Sequence, residues 1–309
     1  MREGKCHPRR VEIRVPASTS NLGAGFDVLG LALGLHNEFV FERIERPSEV
    51  IVEGKDAELL RAGPSRVLYA LEQTSAGLGF QPPTVRLIEH NAIPLARGLG
   101  GSGTATLAGI VAAFLFAGRE LERSEVLNLA VALEGHPDNV TPQVMGGFTV
   151  SRAVEGKVTY IRLQPPAGLM GVILIPDRPL DTGLARQALP THYPKEDVIF
   201  NLGGAALTVA ALASGDLTHL AAAMQDRIHQ PYRASLLPGM MEIIKAALGA
   251  GSPGAALSGA GSGIFAFARP HEAQAIGKAM EAAAGRHGMK AYSLHLSLNQ
   301  EGFEVMDVA

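Results

Sequence analysis

Alternating and helically spaced apolar residues divide the first half of the chain into predicted strands and helices. Residues 11–15 (VEIRV) alternate and predict a strand that ends at Pro16, and residues 36–42 alternate again. Helical spacing at 66–76 and a short strand at 85–88 follow. An apolar helix at 104–117, an amphipathic helix at 126–133 that ends at Gly135, and a strand at 146–152 come next. Strands and helices are therefore mixed in this half.

A second half is predicted beyond the polar, proline-rich stretch at residues 155–168. Residues 172–175 and 264–268 have the composition of buried strands, and 292–298 alternate as a final strand. Helical spacing marks residues 198–213, 217–224, 240–248 and 272–284. We therefore predict an α+β fold of two domains, residues 1–155 and 165–309.

Composition narrows the classes of function. The net charge is −3, so the chain lacks the basic surplus of proteins that bind nucleic acid through its phosphates. The single cysteine, Cys6, cannot form an intramolecular disulfide, and no apolar signal segment follows the polar N-terminal stretch. The longest apolar runs, such as 110–117, are shorter than the roughly 20 residues of a membrane span. We expect a cytoplasmic protein with neither nucleic-acid nor membrane partners.

Glycine is abundant, with 36 of 309 residues, and three clusters hold its informative share: residues 23–30, 98–103 and 259–263. The middle cluster, in PLARGLGGSGT at 94–104, directly precedes the apolar helix, whose free N–H groups and positive dipole end therefore face the loop. Because glycine lets the backbone approach a ligand closely, this arrangement predicts a phosphate-sized anion site. A simple turn capped by Ser102 or Thr104 would need fewer glycines.

Two well-known phosphate loops do not fit the middle cluster. The spacing Gly98-x-Gly100-x-x-Gly103 matches the dinucleotide fingerprint, but Pro94 interrupts the strand that should lead into it. A charged loop and a helix also follow, where that fold needs a strand. The Walker A loop needs a lysine where Thr104 stands. This disfavours an NAD-dependent oxidoreductase, and the chain has neither a Gly-x-Ser-x-Gly elbow nor a His-Glu-x-x-His motif.

The middle cluster instead resembles the Pro-x-x-x-Gly-Leu-Gly-Ser-Ser motif of the GHMP kinases, with Gly101 in place of the first serine and Ser102 as the second. Residues 15–33 (VPASTSNLGAGFDVLGLAL) resemble the first motif, in its homoserine kinase form. Residues 257–268 (LSGAGSGIFAFA) resemble the third, with Ser262 where many members have proline. The resemblance spans essentially the whole chain. It implies an N-terminal ATP-binding domain with a mixed sheet and helices, and a C-terminal ferredoxin-like α+β domain that completes the substrate site.

The resemblance also implies a kinase that uses ATP and Mg²⁺, phosphorylates the side-chain hydroxyl of L-homoserine in threonine biosynthesis, and forms a homodimer. The ATP phosphates would lie on Pro94, Leu95, Ala96, Arg97, Gly98, Leu99, Gly100, Gly101, Ser102, Gly103 and Thr104. We expect a bulky residue at the three fingerprint glycines to weaken ATP binding more than folding. The sequence contains no motif that specifies the adenine contacts.

The residues around Glu134 carry the predicted chemistry. Glu134 closes a helix at the end where the dipole disfavours a carboxylate; a solvated surface residue would tolerate that position, whereas a metal ligand would explain it. The resemblance assigns Glu134 and Ser102 to Mg²⁺ and to the chemical step.

The segment HPDNVTP at residues 136–142 follows Glu134. Its two prolines predict a fixed loop in place of a helix, and an Asx-type turn is the alternative to a site. The resemblance places His136 and Asn139 against the substrate. Asp138 matches the aspartate that acts as the catalytic base in mevalonate kinase-like members, which makes it the candidate base here. The γ-phosphate itself is the alternative acceptor of the hydroxyl proton.

An amino-acid substrate needs partners for its carboxylate and its ammonium group. Arginine offers a two-pronged donor for a carboxylate, and Arg186 and Arg233 match family segments, although each alone is more often a surface residue. The resemblance makes these two the carboxylate clamp and Asp27 the ammonium partner. It adds three further substrate contacts: Asn21, Thr182 and Gly261.

Two rival functions stay open. A kinase for mevalonate or another small alcohol is disfavoured by Asp27, which suits an ammonium group. A ligand-sensing protein without turnover is disfavoured by the retained Ser102, Glu134 and Asp138.

Overall fold

A computed structural model describes residues 8–309, so the prediction for Cys6 lies outside the described residues. In chain order the strands are β1 (Arg10–Ser20), β2 (Leu29–Arg43), β3 (Glu49–Gly54), β4 (Val85–Asn91), β5 (Phe148–Val154), β6 (Lys157–Leu163), β7 (Met170–Pro176), β8 (Ala255–Leu257), β9 (Ile264–Ala268), β10 (Ala291–Ser297) and β11 (Glu304–Val308). The helices are α1 (Ala57–Arg61), α2 (Arg66–Gly77), α3 (Gly101–Phe116), α4 (Arg123–Glu134), α5 (Pro137–Met145), α6 (Thr182–Gln187), α7 (Lys195–Ser214), α8 (Leu220–Ala223), α9 (Gln230–Arg233), α10 (Met240–Gly249) and α11 (Ala273–Arg286).

The first sheet has the order β11-β1-β2-β4-β3, with β5 pairing β2 and β6 pairing β5. Only the β3–β4 pair is parallel among the strands described, so the sheet is mixed, as predicted. Alternate residues of β1, such as Val11, Ile13 and Val15, are fully buried in the core that α2 to α5 complete. Such an alternation is typical of a sheet with one face on a core.

Strand β1 does not end at Pro16, as the sequence predicted. It runs to Ser20, with a register shift between Pro16 and Ala17 against β2. A bulge tolerates a residue that has no N–H to donate, so proline interrupts the ladder without ending the strand. Every residue from Pro16 to Ser20 is buried, which removes the alternation by which a strand is recognised.

Helix α3 is buried on almost every side, as its composition predicted, but it begins three residues earlier, at Gly101. Its close neighbour is α2. A Cβ on Gly109 would lie 2.3 Å from the carbonyl oxygen of Val67, so glycine allows the two helices to approach closely. The N-terminus of α3 therefore lies inside the middle glycine cluster, where its free N–H groups are available to a ligand.

Residues 137–145 form helix α5, so the prediction of a loop was wrong. Pro137 occupies the first turn, where the missing N–H costs nothing. Pro142 has no N–H, so the carbonyl oxygen of Asp138 lacks its helical hydrogen bond. That oxygen instead lies against Gly30, where a Cβ would come within 1.9 Å of it. The polar side chains of the segment are thus held on the first turn of a helix.

The second sheet, with the order β10-β7-β9-β8, is antiparallel and packs against α10 and α11. Numbered within the second domain this is the 4-1-3-2 order of a ferredoxin-like sheet, so the predicted α+β class is confirmed. The predicted domain limits differ from the strand pairing. Strand β6 lies beyond residue 155 yet pairs with β5, and β11, at the C-terminal end of the chain, pairs with β1 in the first sheet.

Helix α7 is the one helix within residues 8–309 that is long and apolar enough to cross a membrane by length and composition, with a mean hydropathy of 1.5 over 18 residues. The sequence predicted a helix at 198–213 but no membrane span, and Asn201 and Thr208 interrupt the apolar run. Both residues are buried against the rest of the protein. Only 22% of that 18-residue window is buried, and one such helix is weak evidence for a membrane span.

Candidate active site

A cavity of about 520 Å³ lies where the three glycine clusters meet, a size typical of small-molecule sites. Backbone bonds join the clusters: the Ser18 amide donates to Leu99 (3.1 Å), and the Gly259 amide donates to Ser20 (3.2 Å). The Ser258 hydroxyl donates to the carbonyl oxygen of Gly98 (2.8 Å). The cavity wall includes these predicted site residues: Asn21, Asp27, Pro94, Leu95, Ala96, Arg97, Gly98, Leu99, Gly100, Gly101, Ser102, Gly103, Glu134, His136, Asp138, Asn139, Thr182, Arg186 and Arg233.

Two predicted residues, Thr104 and Gly261, are not among the residues that line the cavity. The Thr104 hydroxyl is buried, donates to the carbonyl oxygen of Gly101 (2.7 Å) and accepts from Asn37 (3.0 Å). It therefore holds the first turn of α3 in shape. A Cβ on Gly261 would point at the side chains of Leu257 and Leu180, 3.0 and 3.2 Å away.

The fingerprint glycines are needed for packing. A Cβ on Gly98 would lie 1.8 Å from the carbonyl oxygen of Ser258, and its φ is +67°. On Gly100 a Cβ would lie 2.3 Å from Ser18 Oγ, and on Gly103 it would lie 2.3 Å from Gln143 Oε1. The expectation that bulky residues at these glycines weaken ATP binding more than folding stays a prediction. At Gly98 the obstacle is backbone, so a side chain there would also disturb the fold.

Ser102 and Glu134 come together at the N-terminus of α3. The Ser102 hydroxyl donates to Glu134 Oε1 at 3.1 Å. The same oxygen accepts from Thr106 Oγ1 at 2.5 Å and from Arg66, whose Nε and Nη2 lie 2.9 and 2.6 Å away. Within residues 8–309 no group donates to the other carboxylate oxygen, Oε2. The Glu134 side chain is 8% exposed. Its carboxylate is therefore held through Oε1, while Oε2 has no donor among the described residues.

Arg66 explains how a carboxylate is tolerated at the C-terminal end of α4. The dipole there disfavours a negative charge, but the guanidinium neutralises it and also donates to the Leu133 carbonyl oxygen at 3.1 Å. Sequence reasoning missed Arg66, since the residue lies 68 positions from its partner. The available signal was a basic residue at the first position of a helix, where the dipole disfavours it.

His136 and Asp138 form a buried pair, with Nδ1 2.8 Å from Oδ1. The hydrogen bond raises the pKa of His136, although burial opposes it. Burial alone would raise the pKa of Asp138. The bond and charge of His136, with the Ser20 hydroxyl and the Arg186 charge, outweigh that effect and hold it below its ordinary value. Asp138 is therefore an ionised, hydrogen-bonded carboxylate, which makes it a weak base.

The two asparagines of the predicted site have their side chains engaged with the protein. Asn139 donates to Ser20 Oγ (3.0 Å) and accepts from Ser18 Oγ (3.0 Å), which ties α5 to β1. Asn21 donates to the carbonyl oxygen of Gly259 (2.9 Å) and accepts from the amide of Asp27 (2.9 Å). Both residues hold the shape of the cavity wall.

Asp27 and Arg186, predicted to bind opposite ends of a substrate, bind each other through two parallel bonds of 2.9 and 3.0 Å. The aspartate is at φ +57° and the arginine lies over the ring of Phe26, 5.8 Å from its centroid. Both charged side chains are about a third exposed, at 34% and 39%, so solvent and ligands reach them. A small molecule that carries a positive and a negative charge could therefore replace each of the two side chains as the partner of the other.

Arg233 is 2% exposed and lies at the base of the cavity. It donates to the carbonyl oxygens of Gly259 (3.0 Å) and Ala185 (3.2 Å), and its Nη1 lies 3.2 Å from His229 Nδ1. Burial lowers the pKa of His229, whose Nε2 lies 2.8 Å from the Gly23 carbonyl oxygen. The ring is therefore neutral, with Nε2 donating to that carbonyl and Nδ1 accepting from Arg233. Nη2 of Arg233 donates to no residue within 8–309 and is free for a ligand.

Glu89 and Asn91, which sequence reasoning missed, line the cavity beyond Arg66 together with Leu60. Both lie on the buried face of β4, in line with Val85 and Leu87. Burial raises the pKa of Glu89 to about 7. The signal for them was polar residues at alternating core positions, but the predicted strand stopped at residue 88.

Gln143 is a further missed residue. Its Nε2 donates to the carbonyl oxygen of Gly100 at 2.8 Å, which holds the middle glycine cluster against α5.

Comparisons with known proteins give the following matches. The family described as GHMP kinases N terminal domain matches residues 64–147, and GHMP kinases C terminal matches residues 208–287. The chain is 42% identical to the homoserine kinase of Moorella thermoacetica, covering 90% of this chain and 94% of that one. It is 40% identical to the homoserine kinase of Trichormus variabilis, covering 94% and 97%. The crystal structure of homoserine kinase from Cytophaga hutchinsonii superposes with a TM-score of 0.86 at 28% identity, covering 98% and 99%.

Proposed function

The chain belongs to the homoserine kinases of the GHMP kinase family, and we propose that its cavity transfers the γ-phosphate of ATP to the side-chain hydroxyl of L-homoserine. The product, O-phospho-L-homoserine, serves threonine biosynthesis. One observation carries the proposal: the same cavity is lined by the first residues of α3, with their free N–H groups, and by the partly exposed Asp27–Arg186 ion pair. The first suits a polyphosphate and the second an amino acid.

The first domain provides the phosphate site. The free N–H groups at residues 101–103 and the positive end of α3 favour phosphate oxygens without a basic surplus. Transition-state stabilisation in phosphoryl transfer comes mostly from such fixed positive charge. The adenosine would extend towards Leu60, Glu89 and Asn91, the cavity end that the substrate charges do not occupy.

Mg²⁺ fits the Ser102–Glu134 pair. This ion usually takes one or two carboxylates, with phosphate oxygens and water as its other ligands. Glu134 has one oxygen, Oε2, without a donor among residues 8–309, and the Ser102 hydroxyl lies beside the same carboxylate. When bound, the ion neutralises charge on the phosphates. Glu134 and Ser102 would hold it next to the amides of α3.

The second domain completes the substrate site with Arg186 and Arg233. The ammonium group of homoserine takes the place of the Arg186 guanidinium at Asp27. The homoserine carboxylate takes the place of Asp27 at Arg186 and also accepts from the free Nη2 of Arg233. Every charge keeps an opposite partner during this exchange, which avoids the cost of an unpaired charge. The carboxylate clamp directs the side-chain hydroxyl towards the phosphate loop.

We propose that the γ-phosphate takes the hydroxyl proton, and that Asp138 acts through His136. A carboxylate whose pKa lies below its ordinary value gains little from accepting a proton at neutral pH. Its oxygen Oδ1 is hydrogen-bonded to His136, which lines the cavity. The bond raises the pKa of His136 and so favours the charged form of the ring. Asp138 is thus a positioning residue for a cation near the transferred phosphate.

The test is an ADP-release assay on the purified chain with Mg²⁺ and ATP, offering homoserine, mevalonate, serine and galactose separately. We expect turnover with homoserine well above the other three. Turnover with mevalonate and none with homoserine would move the chain to the rival kinase. Tight ATP and homoserine binding without turnover would make it a ligand sensor. The predicted homodimer and cytoplasmic location stay predictions, and sedimentation of the purified chain tests the first.

A further inference from the structure

Arg66 and Glu134 each lie at the helix end where the dipole opposes their charge. Arg66 is the first residue of α2, and Glu134 is the last residue of α4. Their ion pair offsets both penalties, so a tether between the two helices would be a sufficient reason for a structural arginine. A tether does not require the side chain to line the ligand cavity, which Arg66 does, at 39% exposure.

The guanidinium of Arg66 uses one edge and leaves the other open. Nε and Nη2 hold Glu134 Oε1, Nε also donates to Thr106 Oγ1 at 2.9 Å, and Nη2 also donates to the Leu133 carbonyl oxygen. Nη1 donates to no group in the described part of the chain. Glu134 mirrors this arrangement, with Oε1 held and Oε2 open. One donor of Arg66 and one acceptor of Glu134 therefore have no partner among the described residues.

The other arginines that line the cavity are committed elsewhere. All three guanidinium nitrogens of Arg97 donate to backbone carbonyl oxygens, at 2.7, 2.8 and 3.1 Å. Arg186 is paired with Asp27, and Arg233 lies at the base, where its remaining donor, Nη2, is assigned above to the substrate carboxylate. No lysine is among the described residues that line the cavity. Among the described residues that line the cavity, Arg66 is thus the guanidinium that shares the oxygen Glu134 Oε1 with Ser102, where a triphosphate brings several negative charges.

We propose that Arg66 is a phosphate-binding residue of the kinase: its Nε–Nη2 edge fixes the Glu134 carboxylate, and its Nη1 donates to an oxygen of the ATP phosphates. This role presupposes the ATP site proposed above and adds to it a side-chain cation that no motif supplies. It replaces, from another helix, the lysine that a Walker A loop carries. Lys and Arg at phosphates differ mainly in their geometry, because only the guanidinium can hold the carboxylate and the phosphate together.

The decisive experiment measures ADP affinity by calorimetry in EDTA, where the metal takes no part. Arg66→Met is compared with wild type, and the same substitution is repeated in a Glu134→Gln background. Adenosine, which has no phosphate, is titrated in parallel. Arg119→Met is the matched control, since it removes an exposed arginine outside the cavity. Arg66→Lys is included as the charge-conserving variant, and thermal unfolding checks that each variant folds.

A lost charge-assisted hydrogen bond predicts about tenfold to hundredfold weaker ADP binding for Arg66→Met in both backgrounds. We expect adenosine binding to stay unchanged, Arg66→Lys to recover part of the loss, and Arg119→Met to equal wild type. A loss that disappears in the Glu134→Gln background would overturn the proposal, because Arg66 would then act only by holding Glu134. An equal loss for adenosine would also overturn it. If Arg66→Met fails to fold, Arg66→Lys against Arg66→Gln gives the same comparison. Wild type that binds no ADP would refute the ATP site itself.

Discussion

Replacing Glu89 with glutamine should make the protein less sensitive to rising pH. Glu89 is 5% exposed on the core face of β4, and burial raises the pKa of its carboxyl to about 7. An acid with a raised pKa binds its proton more tightly when the protein is folded than when it is unfolded. The free energy of unfolding of the wild type therefore falls as the pH rises from the unfolded pKa towards the folded one. Glutamine is similar in shape and has no proton to lose.

The shift fixes the size of the effect. A rise from 4.5 to about 7 corresponds to a full cost of about 3 kcal/mol above the folded pKa. At about pH 5.5 the unfolded carboxyl is already ionised while the folded one is not, so about a third to a half of that cost is present. Between about pH 5.5 and 8.5 the stability gained by the variant, relative to wild type, should grow by about 2 kcal/mol.

Urea unfolding of wild type and Glu89→Gln at the two pH values measures this difference directly. Glu72→Gln is the matched control, because it makes the same chemical change at an exposed position of α2. We expect the stability difference between Glu72→Gln and wild type to be the same at both pH values. If the difference between Glu89→Gln and wild type were also constant, the burial of an ionisable group at the end of the cavity would be refuted.

Four further substitutions test other parts of the site. Gly98→Ala should lower the free energy of unfolding by about 2 kcal/mol or more in a urea titration, since the φ is positive and backbone lies 1.8 Å from the new atom; wild-type stability would contradict the packing role. Glu134→Gln should lower kcat/KM by about 100-fold or more in a protein that still folds, and turnover near wild type would remove it from the metal site. Arg186→Leu should raise the KM for homoserine by about tenfold to hundredfold and leave the KM for ATP unchanged, and the reverse pattern would misplace the substrate. Because the hydrogen bond to Asp138 raises the pKa of His136, its stabilisation is present below the unfolded pKa and is lost as pH rises through the folded one. The stability gap between wild type and His136→Gln should therefore be larger at pH 6 than at pH 9 in thermal unfolding, and an equal gap would contradict the charged pair.

The cluster of free N–H groups proposed as the phosphate site could be predicted because its signals are local. Clustered glycines followed at once by an apolar helix place free N–H groups beside a flexible backbone, and both features lie within a dozen residues. The prediction of a loop at residues 136–142 failed because the general rule against proline in a helix does not cover the first turn, where Pro137 lies. The carbonyl oxygen of Asp138, which Pro142 leaves without its helical hydrogen bond, lies against Gly30.

The missing part of the site depends on distant contacts. Arg66 and Glu134 are 68 positions apart, and Asp27 and Arg186 are 159 apart, so no local pattern shows which charges meet. The pairing of Asp27 with Arg186 differs from the two separate roles that the sequence suggested. It also explains how both charges are tolerated before a substrate arrives.

The most direct test of the account is a crystal structure of the chain with Mg²⁺, a non-hydrolysable ATP analogue and homoserine. We predict phosphates on the amides at residues 101–103, the metal on Ser102 and Glu134 Oε2, and the homoserine carboxylate on Arg186 and Arg233. The Asp27–Arg186 pair should be opened by the substrate, and the side-chain hydroxyl should face the γ-phosphate. A triphosphate bound elsewhere, or homoserine bound with the Asp27–Arg186 pair intact, would contradict the account.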